Sequence, residues 1–323
     1  MEGEKKIRVG VIGAGKIAKI AHFPVLSSLP DVELTALFSR TPEKAEILSR
    51  QFGVRKTVRS FEEFLKEDMD CAVLLTPKTV RKQYIPALLE KKLDLLIEKP
   101  LSPTLKECED LADVSVKSGQ IVMVAFNRRF APCNIKAIEA FNGKRPHMVI
   151  ASKNREYKEY RGTMENAIHM IDLLRHILGD CDKVSAAARF SDPFNEDLCT
   201  AQLEFRDGGI GLLAASREAG QWREQVELYG GGITAISDNL DRVKIIYRDK
   251  EEAFDMTPLR QGWCTVVERI GFEGCIKHFV DCVKTRAKPI TSAEDAFKTH
   301  VLLDKILRAA GLPDLSKDWS VEK

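Results

Sequence analysis

A chain of 323 residues, 44% hydrophobic and 30% charged, has the size of about two domains and enough apolar residues for a large core. Its 50 basic and 48 acidic residues leave a net charge of +2, which gives no footprint for nucleic acid or an anionic membrane, and no apolar run approaches the roughly 20 residues that cross a bilayer. Lys16 and Lys19 interrupt the N-terminal apolar run, which argues against a signal peptide, and eight scattered cysteines without a C-x-x-C pair fit reduced thiols in a cytoplasmic protein.

The chain opens with an apolar strand, Ile7–Ile12, followed by Gly13-Ala14-Gly15-Lys16-Ile17-Ala18 and a helix near Ile17–Leu29. Strand, glycine turn and helix in that order are the context of a dinucleotide-binding loop. Gly13 permits the tight turn, Gly15 lets the backbone approach a pyrophosphate, and Ala18 stands where a small residue lets helix pack on strand. The helix start offers free N–H groups to the phosphates. Glu33–Phe38 is the next strand, and Thr41-Pro42-Glu43 opens a helix with a cap residue and a first-turn proline. Val54–Val58 is a short strand, Ser60-Phe61-Glu62-Glu63 a capping box, Cys71–Leu75 a buried strand, Val80–Lys91 a helix and Leu93–Ile97 a strand. Helix Thr104–Ser118 and strand Ile121–Ala125 complete the alternation, which predicts a doubly wound parallel sheet.

Beyond residue 125 the rhythm changes. Helix Asn134–Phe141, strand His147–Ser152 and helix Glu165–Leu178, ended by Gly179, precede strands at Lys183–Arg189, Cys199–Phe205, Ile210–Ala215, Gln225–Tyr229 and Val243–Arg248. Asp207-Gly208 is a hairpin signal. Helices near Val267–Lys284 and Ala293–Ala310 close the chain. These patterns predict an α/β protein: a parallel-sheet dinucleotide domain over residues 1–125, then an α+β domain over 126–323 with an open, largely antiparallel sheet.

The second strand ends Phe38-Ser39-Arg40-Thr41 without the acid that would hold the ribose hydroxyls of NAD. Ser39 and Arg40 offer a hydroxyl and a guanidinium suited to a 2′-phosphate, so NADP is the favoured cofactor and NAD the alternative. Glu98 and Lys99 fall at the carboxyl end of a parallel strand, where open α/β sheets bind ligands. A lysine there can polarise a carbonyl or stabilise an alkoxide; as a bare pattern it is equally a surface lysine before a turn proline. Glu165, His169, Asp172 and His176 recur at i, i+4, i+7 and i+11, on one helical face. Histidine beside carboxylate is a proton-transfer unit, or else an exposed polar stripe. Cys275, His278 and Cys282 are read as part of an amphipathic helix with Ile276, Phe279 and Val283, not as a metal site.

Taken together, Ala21-His22-Phe23-Pro24, Thr76-Pro77, Glu98-Lys99-Pro100-Leu101, Asn127-Arg128-Arg129-Phe130-Ala131-Pro132 and Ile168-His169-Met170-Ile171-Asp172 resemble the Gfo/Idh/MocA oxidoreductases, in that family's order and over essentially the whole chain. The resemblance implies an N-terminal Rossmann domain and NAD(P)-dependent hydride transfer on a sugar, polyol or related alcohol. It implies Lys99 near nicotinamide and substrate hydroxyl, His169 as general acid/base, Glu165 as its supporting carboxylate, and a cis bond before Pro100. The cofactor set is then Gly13, Gly15, Lys16, Ile17, Ser39, Arg40, Thr76, Pro77, Glu98, Lys99 and Asn127; the substrate set is Lys99, Arg128, His169 and Asp172. It also implies a homodimer or homotetramer built through the open sheet. Glu165 stands where aspartate is usual, Ala167 where glycine is frequent, and Lys78 and Arg81 where asparagine and histidine are usual. Arg81 reads either as a contact to an acidic ligand or as a solvated side chain. A non-catalytic NADP-binding sensor of the same fold and a dihydrodiol-type dehydrogenase are the alternative functions.

Overall fold

The computed structural model describes residues 6–256 and 266–319. The chain divides into two compact units, residues 1–125 with 272–297, and residues 126–271 with 298–323.

The first unit is built on six strands, β1 (Ile7–Ile12), β2 (Val32–Phe38), β3 (Lys56–Val58), β4 (Cys71–Leu74), β5 (Asp94–Ile97) and β6 (Val122–Val124), all parallel in the order β3-β2-β1-β4-β5-β6. Continuous apolar runs such as CAVL and LLI are what a sheet covered on both faces requires, and β4 and β5 are buried along their whole length. Helices α1 (Phe23–Ser28), α2 (Pro42–Phe52), α3 (Phe61–Lys66), α4 (Ile85–Glu90) and α5 (Leu105–Ser118) connect them. The cap on α3 is the one its sequence announces, Ser60 Oγ accepting from Glu63 N at 3.1 Å, and α5 is capped by Thr104, whose Oγ1 accepts from Glu107 N at 3.2 Å. Thr41 occupies the cap position of α2 without a side-chain cap bond.

Two helices are less regular than their patterns suggest. The helix following Gly15 begins as a π-turn at Ala18–His22 before becoming α1. The run 80–91 splits into a 3-10 turn, Lys78–Gln83, and α4, because Pro86 has no N–H to continue the helical ladder and instead seeds a new first turn.

In the second unit α6 (Pro132–Glu139) precedes β7 (Met148–Asn154), and α7 (Ile168–Leu178) follows a π-turn at Thr163–Ala167. Strands β8 (Cys181–Arg189), β9 (Leu198–Phe205), β10 (Ile210–Ser216), β11 (Arg223–Gly230), β12 (Ile233–Asp238), β13 (Arg242–Ile246) and β14 (Glu251–Asp255) join β7 in an eight-stranded sheet, ordered β14-β13-β12-β11-β7-β10-β9-β8. Every pair is antiparallel except β10 with β7. Two strands are additions to the sequence expectation. β12 pairs tightly back on β11 through Gly231 and Gly232, both at positive φ, and β14 carries three acids in five residues, a composition that hides a strand. The chain then runs through α8 (Val266–Arg269), α9 (Phe272–Thr285) and α10 (Ala293–Ala309). The expected helix 267–284 breaks at Gly271 (φ +86°), where a β-carbon would stand 2.1 Å from Asn127 O.

Packing is tight enough in the first unit to dictate glycine on a strand. A β-carbon on Gly10 would lie 2.1 Å from Met69 Sδ and 2.6 Å from Phe64 Cζ. Phe64 fills this space and is fully buried. Phe64→Ala is expected to cost about 3–5 kcal/mol, measured by urea unfolding followed by circular dichroism; a loss under about 1 kcal/mol would show that the site collapses around the void.

Candidate active site

In the first unit the glycine turn, the second-strand end and the lysine loop gather along one sheet edge. Backbone bonds fix the alignment: Leu75 N donates to Ile12 O at 2.8 Å, Glu98 N to Leu74 O at 3.1 Å, and Ala125 N to Ile97 O at 2.8 Å. Gly13 N donates to Phe38 O at 2.8 Å, which lays the turn beside Ser39 and Arg40. Gly13 has φ +113°, and a β-carbon there would stand 2.8 Å from Leu75 O. A β-carbon on Gly15 would meet nothing within 4 Å, so the backbone is open to a ligand. Gly15 and Lys16 are exposed and Ile17 is half-buried. Ser39 Oγ accepts from Thr41 N at 3.2 Å, leaving its O–H as a donor, and Arg40 is exposed. These are the features a phosphate cradle needs. Pro77 is exposed, while the Thr76 hydroxyl is buried and finds no hydrogen-bond partner among the described residues.

Glu98 and Lys99 follow β5, and the Lys99–Pro100 bond is cis. Arg81, far from being a solvated arginine, is 3% exposed. Its Nη1 donates to the carbonyls of Glu98 and Pro100, and its Nε and Nη2 donate to Thr76 O at 3.2 and 2.9 Å. It therefore braces both ligand-facing turns from within. His22 is the partner that sequence reading did not assign. It is wholly buried, its Nε2 lies 2.8 Å from Glu98 Oε1, and its ring meets Phe272 edge-on at 5.3 Å. Burial works to raise the Glu98 carboxyl, but the His22 hydrogen bond and the charges of His22, Lys99 and Arg81 hold it below the usual carboxylate range. Glu98 Oε2 in turn accepts from Lys99 N at 3.2 Å. A contact spanning 76 residues has no local signature.

The remaining candidates lie in the second unit. Asn127 is 1% exposed and its Nδ2 donates to Ile270 O at 2.9 Å. Arg128 forks onto Glu224, Nε to Oε2 at 2.6 Å and Nη2 to Oε1 at 2.7 Å, and gives Nη1 to Ile270 O at 3.1 Å. Lys153 donates to the same carboxylate from the facing position of β7. Burial acts to raise Glu224, but Arg128 and Lys153 hold it well below the usual carboxylate range.

On α7 the polar stripe is buried rather than exposed, apart from His176. Asp172 is fully buried, accepts a fork from Arg129 (Nε 2.7 Å, Nη2 2.5 Å) and a bond from Thr299 Oγ1 at 2.9 Å. Arg175 Nε donates to Thr299 Oγ1 at 3.1 Å. This network pins the helix that carries His169, which is 7% exposed with Phe126 edge-on at 6.5 Å. Glu165 is half-buried in the π-turn one turn earlier. Lys99 and His169 thus belong to different units. In the first unit, Cys275 and Cys282 are core residues of α9, with Cys282 Sγ 3.5 Å from His278 Nε2. Among the described residues no His/Cys/Asp/Glu cluster suits a metal ion, and no helix is long and apolar enough to cross a membrane.

Two family profiles match the chain. Residues 7–126 match the Gfo/Idh/MocA oxidoreductase family's NAD-binding Rossmann fold, and residues 138–234 match a Gfo/Idh/MocA C-terminal domain. The chain is 25% identical over 309 residues to the myo-inositol 2-dehydrogenase of Thermotoga maritima, covering 90% of this chain and 92% of that protein. It is 24% identical over 319 residues to the scyllo-inositol 2-dehydrogenase (NAD(+)) of Bacillus subtilis, covering 91% of each. The crystal structure of the dehydrogenase MviM from Clostridium difficile superposes with a TM-score of 0.86 at 24% identity, covering 95% of this chain and all of that one.

Glu224→Gln is expected to cost about 3 kcal/mol at pH 7, because two buried cations lose their countercharge. A carboxyl held low in the folded state contributes stability above its ordinary value near 4.3 and loses it as pH falls toward the folded value. The variant's deficit should therefore be largest near neutrality and narrow below about pH 4.3. Thermal melts from pH 7 to 3 check this, and a pH-independent deficit would contradict it.

Proposed function

Because the chain belongs to the Gfo/Idh/MocA family of NAD-binding oxidoreductases, we propose that it is an NADP(H)-dependent dehydrogenase or reductase of a sugar, polyol or related alcohol. The observation that carries this reading is the edge formed by the glycine turn, Thr76-Pro77 and Glu98-Lys99, together with a buried histidine on a clamped helix. A nicotinamide cofactor would supply the redox chemistry, as hydride acceptor or donor. The residues that would hold it are Gly13, Gly15, Lys16, Ile17, Thr76, Pro77, Glu98 and Asn127.

Lys99 steadies the developing oxyanion of the alcohol with its ammonium. His169 takes the hydroxyl proton in oxidation and returns it in reduction. Glu165 orients the imidazole and stabilises its charged form. Arg128 and Asp172, each spent on a buried ion pair, serve the substrate side by holding backbone and helix in place. Glu98 fixes the lysine turn through its bonds to Lys99 N and His22. The inositol dehydrogenases among the relatives support a polyol as substrate class. We read the assembly as a homodimer or homotetramer formed through the open sheet of the second unit.

Ser39 and Arg40 carry the cofactor preference. The β2 end offers a hydroxyl and an exposed guanidinium and no acid, which suits a 2′-phosphate better than a free ribose hydroxyl.

Lys99→Met is expected to lower kcat by about 10²–10³-fold while NADPH binding, followed by fluorescence titration, stays within about threefold. Near-normal turnover would remove Lys99 from the chemistry. Arg40→Ala should raise the KM for NADP by about tenfold or more and leave that for NAD nearly unchanged. Steady-state kinetics with both cofactors decide it, and equal effects on the two would remove Arg40 from the choice between them.

A further inference from the structure

Glu165 stands in the π-turn Thr163–Ala167, and residues 161–163, at the entry to that turn, are each gripped by other parts of the second unit. Arg161 has φ +49°, a left-handed backbone that a residue with a side chain keeps only where its surroundings hold it. Its N donates to Phe194 O at 2.6 Å, and its Nη2 donates to Pro313 O at 2.6 Å and Asp314 O at 3.0 Å. Its own carbonyl accepts from Glu165 N at 2.8 Å. Gly162 O accepts from Arg217 Nη2 at 2.7 Å, and Thr163 N donates to Glu196 Oε1.

Arg161, Glu196 and Arg217 are all buried, Arg217 completely, so they act on backbone and not on a ligand. Glu196 lies in the loop before β9 and Arg217 directly after β10. Arg217 N donates to Asp197 O at 2.7 Å, which joins the two at one junction. Burial draws the Arg217 guanidinium below the usual arginine range, and the charge of Glu196 is the first to oppose it. The fit against the turn is close: a β-carbon on Gly162 would stand 2.4 Å from Arg217 Nε. Charges taken out of water are costly, and the free N–H and C=O groups at a helix entry are commonly met by a neutral cap or by water. Here charged side chains meet them, and bonds of that kind are the stronger ones. π-turns are themselves rare and cluster at functional sites.

We propose that Glu196 and Arg217, together with Arg161, are positioning residues for the reaction: they fix the backbone of residues 161–163 so that Glu165 keeps its place one turn before His169. This rests on the dehydrogenase reading above, in which Glu165 orients the imidazole. The grip acts through the main chain alone. Because Glu165 N is tied to Arg161 O, a shift at residues 161–163 passes directly to Glu165. His169 lies on the part of α7 that Asp172, Arg129 and Thr299 clamp separately. Loosening the entry therefore displaces the supporting carboxylate and leaves the histidine where it is. A displacement of about 1 Å in a supporting group is enough to lower a rate by about a hundredfold. The loss should fall on kcat and not on KM, and it should vanish once Glu165 has no carboxylate to place.

The test uses the full-length protein with NAD and NADP and a panel of polyols and sugars, myo-inositol and glucose first. Glu196→Leu deletes the acceptor of Thr163 N. Gly162→Ala drives a methyl group against Arg217 and removes no charge. Each should lower kcat by about 10–100-fold with the KM for substrate and cofactor within about threefold. Glu196→Gln should stay within about threefold of wild type, because its amide oxygen still accepts from Thr163 N. In a Glu165→Gln background, Glu196→Leu should cost less than about threefold more, as expected of two residues that act as one unit. Wild-type kcat in both Glu196→Leu and Gly162→Ala, or a loss that multiplies in full in the double variant, overturns the positioning role and leaves the dehydrogenase standing. If Glu196→Leu does not fold, Gly162→Ala alone and in the Glu165→Gln background decides by the same criteria. If wild type turns over no compound, the dehydrogenase reading fails on its own, and hydrogen exchange followed by mass spectrometry decides the grip. Amides 163–169 should then exchange at least about tenfold faster in Gly162→Ala; exchange at the wild-type rate overturns it.

Discussion

Parallel strands that pair in register must also end together, and the first unit is organised by that constraint. The three bonds joining residues 75, 98 and 125 to the ends of β1, β4 and β5 place consecutive turns along one edge. Whatever follows each strand is thereby delivered to the same place: the glycine turn, Thr76 and Glu98-Lys99. Helices can only depart from such an edge, so their starts and the free N–H groups of the turns face a ligand. Arg81 and His22 then stabilise the edge from below. One guanidinium takes three carbonyls of the two turns, and one imidazole takes the carboxylate that precedes the lysine. Neither contacts a ligand by necessity, yet both fix the turn on which Lys99 stands.

The second unit solves a different problem. Its sheet is open, and its helix-covered face carries charge: Lys153 and Glu224 face each other across β7 and β11, and Arg128 reaches the same carboxylate. Asp172 with Arg129 and Thr299 does the same on α7. Ion pairs taken out of water return little net stability, but removing one partner is costly. Such pairs specify one arrangement against alternatives of similar packing. Here they fix the elements that carry His169 and Asn127.

Much of this was legible in the chain. The alternation of apolar runs with helices announced the parallel sheet, and Ser60 caps as its spacing requires. The glycine turn, the acid-free end of β2 and the position of Lys99 at a strand end were readable as local patterns. Where reading failed, a competing local force had intervened. Pro86 cut one helix and Gly271 another. β14 was hidden by its acids, and β12 by the glycines that turn into it.

What the sequence alone determined is therefore the order of elements, the fold class and the residue types at each strand end, since periodicity, caps and glycine turns act over a few neighbours. What only the tertiary structure decided is which polar side chains are spent and which are left over. Arg81, legible as either a ligand contact or a solvated side chain, is buried on backbone carbonyls; the stripe of His169 and Asp172, legible as either a proton-transfer unit or an exposed face, is buried and clamped; His22 carried no legible partner and holds Glu98. The reason is physical: a hydrogen bond or ion pair between residues 22 and 98, or 128 and 224, depends on distance in space and on exclusion of water. Neither quantity is written in the spacing of residues along the chain.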